Sequence, residues 1–109
     1  MTNYDRGAAF ERMVMADFQK HGYTAIRAAG SHTPADVYAF RKGKPNIFVQ
    51  CKRNGRLDPF EWNEFLHYCD DSGALPIMAE KPLRGIKYHL IVDFKTERGA
   101  QPMRDWVIE

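Results

Sequence analysis

Two short stretches carry residues that can do chemistry together, Pro34-Ala35-Asp36 and Gln50-Cys51-Lys52. An Asp and a Lys that leave the ends of two neighbouring strands can hold a metal ion beside an activated water, which is the chemistry of a nuclease. Thirteen residues separate Asp36 from Gln50. That is room for the rest of one strand, a tight turn through Arg41-Lys42-Gly43-Lys44-Pro45, and most of a strand Ile47-Phe48-Val49-Gln50-Cys51-Lys52. The two polar ends are expected to meet.

The elements around them follow from local patterning. Residues 4 to 21 read as an amphipathic helix, with Phe10, Met13, Val14 and Phe18 at helical spacing, Thr2 or Asn3 as its cap and Gly22 at its end. A short strand around Tyr23 to Ala28, the loop Ala29-Gly30-Ser31-His32-Thr33-Pro34 and a strand Ala35 to Phe40 come next. Pro34 disfavours helix there. Asn54-Gly55 marks a turn, and Pro59 opens a second helix whose apolar positions are Phe60, Trp62, Phe65, Leu66 and Cys69. Asp70-Asp71-Ser72-Gly73 stops it. Leu75 to Ala79 and Tyr88 to Phe94 read as further strands, and the tail from Lys95 is weakly patterned, although Trp106-Val107-Ile108 must pack somewhere. The order α-β-β-β-α-β-β predicts an α/β fold, a central mixed five-stranded sheet flanked by helices.

With 109 residues and 44% hydrophobic content, residues 1–109 are expected to form one domain around one core. No apolar run approaches the roughly 20 residues that span a bilayer, and the polar start lacks the apolar core of a signal peptide. A cytoplasmic protein with no membrane partner is expected, in the host cytoplasm if the source is viral. Cys51 and Cys69 lack CxxC spacing and are expected to be reduced thiols. His21 and His32 are read as a helix-end and a loop residue rather than as metal ligands.

The net charge of +2 hides an asymmetry, because residues 1 to 56 hold ten Lys/Arg against four Asp/Glu and residues 57 to 109 hold six against ten. Phosphate contacts supply most non-specific nucleic-acid affinity, so a concentrated basic half is more telling than the total. Arg6, Arg27, Arg41, Lys42, Lys44, Lys52, Arg53 and Arg56 are the candidates, with His32 in the loop that should approach DNA. A solvated basic surface is the plain alternative for the charge alone.

Arg6-Gly7 with Glu11, then Ser31, Pro34-Ala35-Asp36 and Gln50-Cys51-Lys52, taken in this order, resemble the signature of the archaeal-type Holliday junction resolvases, in the PD-(D/E)xK nuclease superfamily. The resemblance spans residues 4 to about 94. It implies a restriction-endonuclease-like core and Mg2+-dependent cleavage of four-way junctions by paired nicks, with Mn2+ as a substitute and 5′-phosphate products. It also implies a two-fold homodimer, for which Phe60, Trp62 and Trp106-Val107-Ile108 are candidate contacts. By resemblance Glu11, Asp36 and the Cys51 main-chain carbonyl are metal ligands, Lys52 orients the attacking water or stabilises charge on phosphorus, and Ser31 and Arg6 contact the phosphate or a site carboxylate.

One departure stands out: Gln50 occupies the place of the second acid. Its amide still offers a carbonyl oxygen to a hard cation but removes a negative charge. This motivates two other readings, a nuclease-fold protein that binds branched DNA without cutting it, and a restriction- or repair-type nuclease of the same fold.

Overall fold

The computed structural model describes residues 2–28, 32–97 and 99–109. Helix α1 runs over Asn3–Lys20. Thr2 caps it reciprocally: its hydroxyl accepts from the Asp5 amide at 3.1 Å and the Asp5 carboxylate accepts from the Thr2 amide at 3.1 Å. Gly22, at φ 86°, takes the left-handed turn that ends the helix. Ala8, Phe10, Val14 and Phe18 are buried, whereas Met13 is exposed. The buried stripe follows the every-fourth-residue line, and Met13 points about 100° away from Val14 around the axis.

Strands β1 (Thr24–Arg27), β2 (Val37–Phe40) and β3 (Ile47–Cys51) form an antiparallel meander. Helix α2 (Pro59–Ser72) then crosses back so that β4 (Leu75–Glu80) pairs parallel to β3. β5 (Lys87–Ile91) and β6 (Met103–Trp106) complete the sheet by antiparallel pairing. The sheet is thus mixed as expected, but it has six strands in sequence order rather than five. The added strand is β6, whose central residues Arg104 and Asp105 are exposed. Exposed charges of this kind blunt a sheet edge, and they leave no apolar alternation to read in a four-residue strand. Trp106 supplies its anchor, stacked on Phe18 at 6.2 Å and edge-on to Tyr88 at 6.0 Å.

Each face of the sheet buries one helix. On one face Phe10, Val14 and Phe18 meet Val37, Ile47, Val49, Ile77 and Tyr88. On the other, Trp62, Phe65 and Cys69 meet Phe48, Leu57, Met78 and Ile91. Full burial of side chains such as Trp62 and Phe65 stabilises by about 2–3 kcal/mol apiece. Trp62 is completely enclosed and donates its indole N–H to the Asp93 carbonyl at 2.9 Å, so it is a core residue and not a dimer contact. Phe60, grouped with the same apolar stripe by sequence, stands 76% exposed instead. It lies in the first helical turn, ahead of the line through Trp62, Phe65 and Cys69.

Candidate active site

Asp36 sits immediately before β2, and the Val37–Val49 pairing brings it abreast of Gln50 at the end of β3. Its backbone is fixed on both sides, by Asp36 N–H donating to the Val49 carbonyl at 2.8 Å and Ala28 N–H donating to the Asp36 carbonyl at 2.9 Å. Its carboxylate reaches across the strands and accepts from the Cys51 amide at 2.8 Å. Burial pushes the Asp36 carboxyl up to about 6, and the neighbouring Glu11 charge pushes the same way. The Cys51 amide, Lys52 and Arg27 act against them. Strongly perturbed carboxylates of this kind concentrate at functional sites.

Glu11 arrives from α1 and is held by Arg27, whose Nε donates to Glu11 Oε1 at 2.7 Å with both side chains largely covered. Arg27 is therefore part of the internal charge balance of the site. Its guanidinium is pushed further toward the charged form by that bond.

Lys52 stands where two clefts meet. On the α2 side it lines a cavity with Thr33, Pro34, Asp36, Gln50, Asp58, Phe60, Glu61 and Glu64. On the α1 side it lines another with Asn3, Arg6, Phe10, Arg53 and Asn54. Its ammonium pairs with Glu61 at 3.6 Å across the first cavity. Gly55, at φ 71°, folds the following chain back so tightly that a Cβ there would lie 2.7 Å from the Glu80 carboxyl carbon. Glu80 is held in turn by His89 at 2.8 Å. The buried Lys95 ammonium donates to the Leu57 carbonyl at 2.8 Å, fixing the lead into α2. There Asp58 caps the helix by accepting from Glu61 N–H at 2.8 Å.

The structure thus brings Asp36, Gln50 and Lys52 into one cavity, with Glu11 close enough to act on Asp36 and Arg6 and Arg53 in the adjoining cleft. Arg56 is exposed and lines a separate cavity with Leu57, Asp58 and Lys95. His32 is exposed, one residue before Thr33 of that cavity, and Ser31 lies outside the described residues. Arg41, Lys42 and Lys44 belong to the β2–β3 turn at the opposite end of the sheet, about 16 Å from Asp36 along β2 at roughly 3.3 Å per residue. Cys51 and Cys69 are free thiols, both pushed up by burial.

Among the described residues no group of three or more His, Cys, Asp and Glu side chains is arranged to hold a metal ion. The donors at hand are the Asp36 and Glu11 carboxylates, the Gln50 amide oxygen and the Cys51 carbonyl. All are hard oxygens, and a cation here would offset both the burial and the Glu11 charge that raise Asp36. The set fits Mg2+, which keeps several waters of its own.

A model of the archaeal Holliday junction resolvase (Hjc) family matches residues 2–102. The chain belongs to that family. Among individual Hjc proteins, it is 30% identical over 82 residues to the crossover junction endodeoxyribonuclease Hjc of Methanocaldococcus jannaschii, a match covering 72% of this chain and 60% of that protein's length. Its fold is similar to that of Archaeoglobus fulgidus Hjc, a Holliday junction resolvase from an archaeal hyperthermophile, with a TM-score of 0.66 and 25% identity over 85% of this chain and 80% of the other.

Sequence reading missed the contribution of α2. Glu61, Glu64 and Phe60 face the same cavity as Asp36. One signal was available: Asp58-Pro59 is a helix start six residues after Lys52, which forces the first turn of α2 to land near the end of β3.

Proposed function

We propose that this protein is a metal-dependent endonuclease that resolves four-way DNA junctions by paired nicks, acting as a homodimer on branched DNA in the cytoplasm. The observation that carries the reading is the Asp36 carboxylate, half-buried, raised and tied to the Cys51 amide, in one cavity with Gln50 and Lys52. Membership of the Hjc family supports phosphodiester hydrolysis as the use of these residue types. Asp36 and Glu11, with the Gln50 and Cys51 oxygens, would hold Mg2+. When bound, the ion supplies a water of lowered pKa and neutralises charge on the scissile phosphate.

The chain's own residues do the rest. Asp36 is prevented from rotating by its bond to Cys51, so its free oxygen is presented in one direction. Lys52, swung away from Glu61 by an incoming phosphate, donates to the attacking water or to a phosphate oxygen as negative charge builds up there. Arg6 and Arg53 line the adjoining cleft and give the phosphate backbone its track. A junction has no unique base sequence, so selectivity rests on these contacts and on branch shape, and binding weakens steeply with salt.

Cleavage of a labelled four-way junction beside linear duplex of the same sequence tests this, with Mg2+, Mn2+ or EDTA and with Asp36→Asn protein as control. Paired nicks in the junction alone, lost in EDTA and in the variant, are the expected result. Gln50 favours a second reading, a protein that holds branched DNA without cutting it; tight binding with no metal-dependent nick would establish that one. Within the first reading Gln50→Glu restores a negative charge and lowers the Mg2+ concentration needed for half-maximal cleavage. Equal cutting of the linear duplex would instead point to a restriction- or repair-type nuclease.

A further inference from the structure

We infer that Phe60 is a stacking residue that engages a base face at the branch point, beside the phosphate to be cut. The inference rests on the proposed action on branched DNA and names the contact that makes it selective. Phe60 is 76% exposed, which leaves most of the stabilisation available from burying a Phe unused in the free protein. It lines the cavity that holds Asp36, Gln50 and Lys52, part of whose wall is made by Thr33 and Pro34. That wall is braced, because the Tyr38 hydroxyl donates to Thr33 Oγ1 at 2.7 Å and meets the Tyr68 hydroxyl at 3.0 Å.

The ring is also carried on a rigid mount. Pro59 fixes the backbone before it, the Asp58 cap holds Glu61 after it, and the Trp62 amide donates to the Asp58 carbonyl at 2.9 Å. An apolar ring so placed needs an occupant that also tolerates the charged cavity around it. A second protein subunit seated on Phe60 would close the cavity that the substrate must enter. A nucleic acid satisfies both demands, its phosphates meeting Lys52, Arg53 and Arg56 and its bases offering apolar faces to the ring.

Branched DNA is the form that offers such a face most readily. In continuous duplex each base pair is covered by its neighbours and tied to them by two unbroken strands, and exposing one costs unstacking. At a branch point strands exchange between arms, so the terminal pair of an arm is not joined to its stacked neighbour by two continuous strands and is more easily uncovered. Phe60 therefore adds affinity for the junction and little for linear duplex.

The test uses the full chain carrying Asp36→Asn, which binds without cutting, and junctions with 2-aminopurine in the pairs flanking the branch. Protein binding is expected to change the 2-aminopurine fluorescence, and Phe60→Ala is expected to abolish that change and reduce the preference for junction over duplex about tenfold. Phe60→Trp keeps both signals, whereas Phe60→Leu, of similar bulk and without a π face, loses the fluorescence change. Unaltered fluorescence and preference in Phe60→Ala overturn the inference. Dissociation of the dimer by Phe60→Ala in sedimentation equilibrium also overturns it and assigns the ring to a subunit contact. A parent protein without junction preference removes the branched-DNA reading itself, which is measured separately from any Phe60 variant.

Discussion

The β2–β3 hairpin carries charge at both ends and treats it in opposite ways. At the end where β2 begins, Asp36 is half-buried, hydrogen-bonded to the Cys51 amide and set among Glu11, Arg27 and Lys52. At the turn, Arg41, Lys42 and Lys44 are exposed. Arg41 donates to the His21 carbonyl at 3.0 Å and lies 5.8 Å from the Tyr23 ring centre, and Lys44 pairs with Glu109 at 3.7 Å. The turn holds the denser run of positive charge in the sequence, yet the charges that the fold buries and pairs, and the candidate site, are at the other end. Desolvation makes the difference: it raises the energy of an ionised group and so ties its position and proton affinity to its neighbours, while water screens the turn.

The largest expected effects come from breaking the buried end. Asp36→Asn should abolish metal-dependent cleavage, by a factor of about 1,000 or more, while leaving junction binding within a few-fold. It should also stabilise the protein in EDTA at pH 8. The folded protein holds the Asp36 carboxyl at about 6 against an ordinary 3.8, so its protonated form is the one the fold favours. That contribution is complete below pH 3.8 and is lost as the pH rises through about 6. At pH 8 the ionised group opposes folding by about 2–3 kcal/mol, which the neutral Asn removes. Melting curves of the two proteins should separate at pH 8 and coincide near pH 3.5. A lower melting temperature for Asp36→Asn at pH 8 would mean that the carboxylate is a net stabilising partner of the Cys51 amide, and the contrast between the two ends would fall. Lys52→Ala comes next, with cleavage reduced by about 100- to 1,000-fold, the scale for one preorganised donor at a developing charge. Single-turnover rates at saturating protein separate this from any weakening of binding.

What was legible in the sequence follows the same division between local and distant causes. Asp36, Gln50 and Lys52 could be placed in register because turn residues and strand alternation are short-range signals. The α1 cap, the mixed sheet and the two helical layers were readable for the same reason. β6 was not, since Arg104 and Asp105 hide it and only its pairing with β5 makes it a strand. Met13 and Phe60 were drawn into apolar stripes by spacing alone, which counts residues but does not show where the sheet surface ends. The Glu11–Arg27 and Lys52–Glu61 pairs join elements that meet only in three dimensions. Arg27, read from its charge as a phosphate contact, is bound internally by Glu11.

Glu61→Gln tests the middle of the scale. The 3.6 Å pair with Lys52 is partly exposed, so its removal should change stability by less than about 1 kcal/mol. Cleavage should move by only a few-fold, because substrate phosphate replaces Glu61 as the partner of Lys52. A 100-fold drop in single-turnover rate would instead place Glu61 among the groups that act on the reacting phosphate.

The smallest effect is expected at the turn, and it is the sharpest test of the contrast. Arg6 and Arg53 share the cleft beside Lys52, so replacing either with Ala should weaken junction binding and reduce the slope of log affinity against log salt by about 0.9 for each phosphate no longer neutralised. Lys42→Ala with Lys44→Ala removes two charges from an exposed segment that begins about 16 Å along β2 from Asp36. Beyond a Debye length of about 8 Å at physiological salt those charges contribute little to a phosphate at the site. Junction affinity should therefore stay within about twofold and the salt slope should not change. A slope reduced as much as by the Arg6 and Arg53 variants would mean that a DNA arm runs along the hairpin to its turn, and that both ends serve one binding track.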